Sequence, residues 1–174
     1  MDACECVLTK LDVREFESTN VPAEVKLKVL EAARATGSGM NVQAWRFILV
    51  QGRERLKKLA QNSTHTGQWV EHANFAVIIL TNPKGGFHII DASRATQDMQ
   101  LAAWNYGVVS CVFTGFNLEA LRKDFSIPKE LAPSIIIGFG YPAERISGKK
   151  KNRKPLTELV YLDQYGKTLD AKEL

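Results

Sequence analysis

Residues 75–81 read FAVIILT, seven positions without a charge, four of them β-branched. A run this continuously apolar, followed by Asn82-Pro83-Lys84-Gly85-Gly86, reads as a strand covered on both faces and closed by a turn. Beyond it, residues 88–106 are rich in Ala, Met and Leu and predict the longest, most central helix. Residues 108–113 predict a second buried strand, and Asn117 caps a helix running to about residue 124. Residues 134–141, SIIIGFGY, are the last clear strand. On the N-terminal side, residues 45–51 form a strand around Phe47-Ile48-Leu49-Val50, and residues 53–61 an exposed helix with a basic face. The helix before them opens at Asn20-Val21-Pro22, because proline suits a first turn. It carries Val25, Val29, Leu30, Ala32 and Ala33, and it stops at the small residues Thr36-Gly37-Ser38-Gly39. Residues 2–11 predict a short first helix with Ala3, Cys6, Val7 and Leu11 on one side. The pattern is mixed α and β, with strands too widely spaced for a hairpin sandwich.

A chain of 174 residues, 45% hydrophobic and 24% charged, suits one core that needs no disulfide or metal staple. Its last stretch, residues 155–174, carries too little apolar surface to fold by itself. The expected organisation is a domain over residues 1–154 and a C-terminal extension over 155–174 that lies against something else. The formal charge of +4 is milder than that of a dedicated nucleic-acid binder and suits a phosphate-bearing cofactor or an anionic substrate. Cys4, Cys6 and Cys111 are too few for a disulfide framework. Neither the Cys4–Cys6 pair nor the scattered His65, His72 and His88 has metal-ligand spacing, so no metal is expected. No apolar run approaches the roughly 18 residues that span a bilayer, and no charged-then-apolar leader opens the chain, so a soluble cytoplasmic protein is expected.

The sequence has no G-x-S-x-G, no H-E-x-x-H, no P-loop and no G-x-G-x-x-G after a strand. Chemistry in such a chain points to a borrowed cofactor. Two features bear on which one. Residues 36–47, TGSGMNVQAWRF, join a helix end to a strand through small residues and then polar Ser38, Asn41 and Gln43. Small residues admit a flat ring to the backbone, and Ser and Asn offer the donors and acceptors a flavin edge requires. Spacing alone favours a plain helix stop and turn. The second feature is the placing of cations at both ends of the chain, Lys10 and Arg14 against Lys151 and Arg153, as a phosphate needs converging positive donors. By spacing alone, residues 149–154 also read as a solvated loop or as a nucleic-acid or targeting patch, though no aromatic residue is interleaved for base stacking.

Four segments in order resemble the nitroreductase family of FMN proteins, and the resemblance covers nearly the whole chain. The family's R-R-S-x-R-x-F is matched by Lys10-Leu11-Asp12-Val13-Arg14-Glu15-Phe16, and its S-x-x-N-x-Q-P-W by Ser38-Gly39-Met40-Asn41-Val42-Gln43-Ala44-Trp45. Its middle strand ending in G-F is matched by Val112-Phe113-Thr114-Gly115-Phe116, and its K-x-R-x-P-L by Lys151-Asn152-Arg153-Lys154-Pro155-Leu156. The resemblance implies an α+β fold with a central mixed β-sheet flanked by helices, built as an intertwined homodimer with FMN at the interface. One subunit is expected to supply Lys10, Leu11, Asp12, Arg14, Val112, Phe113, Thr114, Gly115, Lys151 and Arg153. The other is expected to supply Gly37, Ser38, Gly39 and Asn41, while Gln68 also reaches the ring edge. Lys10, Lys151 and Arg153 are expected on the phosphate, Arg14 beside the ring atoms that gain negative charge on reduction, and the extension around the partner.

The implied activity is hydride transfer from NADH or NADPH through FMN to a nitroaromatic, quinone or similar small acceptor, by a ping-pong cycle. Two other readings are a specialised flavin-fragmenting or dehalogenating member and a flavin-binding or nucleic-acid-associated protein without turnover. The chain departs from the family pattern at Lys10-Leu11 for the paired arginines, Asp12 for Ser and Ala44 for Pro. The charge of Asp12 repels a phosphate if it points toward one. Residues 82–86 join strand to helix without the longer insertions that cover the flavin in many relatives, which predicts an open site.

Overall fold

The structure, a computed structural model of the chain, describes residues 1–146 and 151–169. Lys149 and Lys150 of the basic run, and the end of the extension from residue 170, lie outside the described residues. Four strands form one sheet: β1 (Arg46–Gln51), β2 (Phe75–Thr81), β3 (Val109–Phe113) and β4 (Ala132–Gly140), in the order β1-β2-β4-β3. All three pairings are antiparallel. Among the described residues, the parallel component is the single bridge between Asp12 and Ser110.

Strand β2 is buried at all seven positions because it is central and both its faces are covered. Phe75, Val77 and Ile79 pack with Val25, Val29 and Ala33 of α2 (Ala23–Ala35) and with Ala92, Ala95, Met99 and Ala103 of α4 (His88–Asn105). Ala76, Ile78 and Leu80 point the other way, toward Leu56 and Leu59 of α3 (Arg53–Gln61) and Leu121 and Phe125 of α5 (Leu118–Phe125). The period-two alternation of one strand thus builds two cores. Across the first, the Phe75 and Phe139 rings stack with centroids 4.7 Å apart.

The helices form where sequence patterning places them, with three adjustments. Helix α1 (Ala3–Thr9) is capped by Asp2, whose side chain accepts from the Glu5 amide at 2.8 Å, and it ends before Leu11. The chain must turn extended there to meet Ser110. Cys6 is its buried residue, while Val7 is half exposed, so the predicted apolar side is narrower than expected. Pro22 stands at the N-cap of α2, just outside the helix it was expected to open. Helix α3 keeps its basic face but is not simply exposed, because Leu56, Leu59 and Ala60 are buried on the sheet. Asn117 caps α5 by accepting from the Ala120 amide at 3.0 Å, as its position predicts.

The extension forms a short 3-10 turn at Leu156–Glu158 and a Tyr161–Thr168 bridge, leaving Leu156 and Leu159 largely uncovered in the single chain. No helix among the described residues is long and apolar enough to cross a membrane.

Candidate active site

Strand β3 occupies a sheet edge, and the segment after α1 runs alongside it. Asp12 bridges Ser110, the Val13 amide donates to the Ser110 carbonyl at 3.0 Å, and the Glu17 amide donates to Tyr141 at 3.0 Å. This extended strap makes Leu11, Asp12, Val13, Arg14 and Glu15 one wall of a cleft of about 730 Å³, with Cys111, Glu144 and Ile146 completing the lining. The R-R-S-x-R-x-F match therefore stands at this cleft, which its residues Leu11 to Glu15 line.

Charge is organised around Asp12. The ammonium of Lys10, whose side chain is only 8% exposed, donates to Asp12 Oδ1 at 2.7 Å. Gln100, a buried residue of α4, donates through Nε2 to the same oxygen at 3.0 Å and to the Ser110 hydroxyl at 3.0 Å. The other end of the chain returns to this place. Lys151 Nζ donates to the Val7 carbonyl at 2.5 Å. Burial pushes the Lys151 pKa down, and the neighbouring charges of Arg153 and Lys10 push it the same way, against the opposing effect of Asp12. Lys151 thus feels two like charges, from Arg153 and Lys10, against one carboxylate, a repulsion that an anion beside it relieves. Arg14 is held differently. Its Nε donates to Cys111 Sγ at 3.4 Å, and that bond, the charge interaction with Cys111 and, more weakly, Asp12 raise its already high pKa.

Residues 37–41 stand elsewhere. The Gly39 amide donates to the buried Asp91 of α4 at 3.0 Å, the Ser38 hydroxyl accepts from the Gln43 amide at 3.0 Å, and Asn41 Oδ1 accepts from Gln43 Nε2 at 3.1 Å. Met40, Asn41 and Gln43 all take positive φ, at 49°, 57° and 53°, a conformation that costs energy in non-glycine residues and collects at functional segments. A Cβ on Gly37 meets the Arg94 guanidinium at 2.4 Å, and one on Gly39 meets the Phe87 ring at 2.5 Å. The flat group that the small residues admit within one chain is therefore Phe87. None of Gly37, Ser38, Gly39 or Asn41 lines the cleft of this chain.

The end of β3 divides its residues between core and surface. Val112 is half-buried and packs on the first core. Phe113 is committed to the second, edge-on to Trp69 with centroids 5.6 Å apart. Thr114 is exposed. The Gly115 carbonyl accepts from the Thr64 amide at 2.9 Å, and a Cβ there meets Thr64 Oγ1 at 2.2 Å. Gln68 is exposed at the start of a 3-10 turn.

Sequence reasoning missed Gln100 and Cys111. Gln100 signals itself only as one of the polar residues, with Asp91 and Thr96, on the buried face of α4 that holds Met99 and Ala103. Cys111 alternates with buried neighbours and looks like core.

A model of the nitroreductase family matches residues 9–82 and 62–141. A protein of Methanothermobacter thermautotrophicus, provisionally named NADH dehydrogenase/NAD(P)H nitroreductase, is 34% identical over 153 residues, covering 83% of this chain and 79% of that protein. The crystal structure of a protein of the same provisional name from Bacteroides thetaiotaomicron superposes with a TM-score of 0.85 at 24% identity, over 94% of this chain and 98% of that one. An FMN-dependent nitroreductase from Clostridium difficile gives a TM-score of 0.84 at 24% identity, over 93% and 99% of the two chains.

Proposed function

The chain belongs to the nitroreductase family, and on that premise we propose that it is an NAD(P)H-dependent oxidoreductase with FMN as its cofactor. The observation that carries this reading is the cleft beside β3, with Arg14 and Asp12 on its wall, Lys10 paired to Asp12, and Lys151 feeling the charges of Arg153, Lys10 and Asp12. These residues fit the cofactor. Lys151 has its pKa lowered by burial and by two neighbouring cations, as in a site shaped for an anion.

In this reading Lys10, Lys151 and Arg153 bind the phosphate. Arg14, kept charged beside Cys111, holds fixed positive charge where reduction makes the ring more negative. Thr114 and Gly115 present backbone to the ring. FMN held here would supply the redox chemistry, hydride transfer in separate half-reactions from NADH or NADPH to a nitroaromatic, quinone or similar acceptor.

We take the working form to be a cytoplasmic homodimer. Gly37, Ser38, Gly39 and Asn41 then serve the cleft of the partner subunit, with Gln68 at its margin, and the extension from residue 155 covers the partner. The exposed Met40, Val42, Ile89, Ile90, Leu156 and Leu159 support this arrangement, because a single chain leaves them in water. The direct passage from β2 to α4 through residues 82–87 supports an open cleft that admits large acceptors.

The test is a visible spectrum and a turnover assay. The purified protein is expected to be yellow, or to take up added FMN, and to oxidise NADH or NADPH with menadione or nitrofurazone. A protein that binds no FMN and oxidises neither nucleotide with either acceptor refutes the proposal.

A further inference from the structure

Resting on the FMN reading above, we propose that Asp12 is an internal competitor for the flavin phosphate, which lowers the preference of this chain for FMN over flavin lacking the phosphate. Three observations carry this. First, the Lys10 ammonium already has an anionic partner, 2.7 Å away at Asp12 Oδ1, and its burial leaves it little freedom to turn toward another. Second, Asp12 is not free to swing aside. Gln100 Nε2 holds the same oxygen at 3.0 Å, and Gln100 is itself fixed by the buried Ser110 at 3.0 Å. Third, the Asp12 side chain is 56% exposed and lines the cleft, so its charge faces the space a ligand enters.

A phosphate arriving at Lys10, Lys151 and Arg153 therefore meets one cation already neutralised and two that donate to neutral carbonyls, Lys151 to Val7 and Arg153 to Asn152, with a like charge at its margin. One like charge near a phosphate weakens binding by about tenfold even where water screens the pair well. The isoalloxazine ring and the ribityl chain carry no such charge, so riboflavin is indifferent to Asp12. A serine, which the family pattern has at this position, leaves Lys10 free for the phosphate. The chain thus differs from that pattern in the class of flavin it holds: a site tolerant of riboflavin in place of a dedicated mononucleotide site.

The experiment titrates FMN and riboflavin separately into full-length, flavin-stripped protein, reading dissociation constants from quenching of flavin fluorescence. Asp12→Asn and Asp12→Ser are compared with the wild type, the second being available if the first does not fold. Each substitution is expected to tighten FMN about tenfold and to leave riboflavin within twofold, widening the preference for FMN by about tenfold. Unchanged or weaker FMN binding overturns the inference, as does an equal shift for both flavins, which marks a change of shape and not of charge. Wild-type protein that binds neither flavin refutes the FMN reading itself. Wild type that binds FMN beside indifferent variants refutes only the role of Asp12.

Discussion

Replacing Gln100 by Leu keeps much of the side-chain shape and removes one amide nitrogen that makes two bonds. The two losses are unequal. Asp12 is 56% exposed at its side chain, so water takes over much of the contact at Oδ1, leaving a deficit of about 0.5–1 kcal/mol. Ser110 is 1% exposed, and its hydroxyl loses the donor that satisfies it in a place water does not reach. Stranding such a group costs about 1–3 kcal/mol. The expected loss for Gln100→Leu is therefore about 2–3 kcal/mol, most of it at Ser110. For a chain of 174 residues this is a fall in Tm of roughly 5–10 °C. The assay is urea unfolding of flavin-free protein, followed by far-UV circular dichroism at one fixed protein concentration. The reasoning makes a reciprocal claim, which is the sharper test. Ser110→Ala in the Gln100→Leu background removes the stranded hydroxyl, so the double variant should recover about 1 kcal/mol or more relative to Gln100→Leu. A double variant no more stable than Gln100→Leu refutes the account, because the loss then comes from packing and not from the stranded group.

Three further outcomes are expected. Arg14→Ala should slow reduction by NAD(P)H at least tenfold in stopped-flow while weakening FMN binding less than threefold, because Arg14 stands with Cys111 and apart from the Lys10–Lys151–Arg153 cluster; equal losses contradict the division. Deleting residues 155–174 should give a monomeric or unstable chain by light scattering, since Leu156, Leu159, Tyr161 and Tyr165 are exposed apolar surface among the described residues of the extension and are proposed to meet a partner; a stable flavin-loaded dimer speaks against it. FMN affinity should fall at alkaline pH sooner than an ordinary lysine predicts, while riboflavin affinity should not. The Lys151 pKa is lowered in the flavin-free fold, so the charge that attracts phosphate is lost as pH rises through that lowered value. The sign for the flavin-free fold is opposite. Below the lowered value the fold bears the penalty of a partly desolvated charged lysine, and its stability rises with pH between the folded and unfolded values. Lys151→Met should remove the alkaline fall in FMN affinity, and persistence of that fall points to another group.

The two cores were legible because their signals are local. FAVIILT over residues 75–81 and the spacing of Val25, Val29 and Ala33 each carry their own periodicity, and each element lies where its periodicity puts it. Of the four motifs, the first lines the cleft at Leu11, Asp12, Val13, Arg14 and Glu15, while residues 37–41 stand elsewhere. What was not legible is pairwise and remote. Gln100 meets Asp12 across 88 positions, and Lys151 meets Val7 across 144, separations over which no pattern of spacing operates. The glycines at 37 and 39 announced that something approaches the backbone closely, but not that Arg94 and Phe87 are what approach within one chain.

Asp12 shows why a match and a departure carry different information. A residue that fits the family pattern repeats what any member does, so Arg14 says what kind of site this is. A departure must be accommodated by the rest of the chain, and the accommodation is visible here: Lys10 neutralises Asp12, Gln100 fixes it, and Ser110 fixes Gln100. Gln100 and Ser110 are buried where α4 meets β3, while Asp12 stands on the wall of the cleft. In the proposed site, phosphate affinity and fold stability are therefore coupled through one network. Freeing Asp12 by removing Gln100 destabilises the edge of the sheet and gives the carboxylate room to leave the phosphate site. Asp12→Asn changes the charge while keeping an oxygen that can still accept from both Lys10 and Gln100. The two substitutions separate what the network does for the fold from what it does for the flavin.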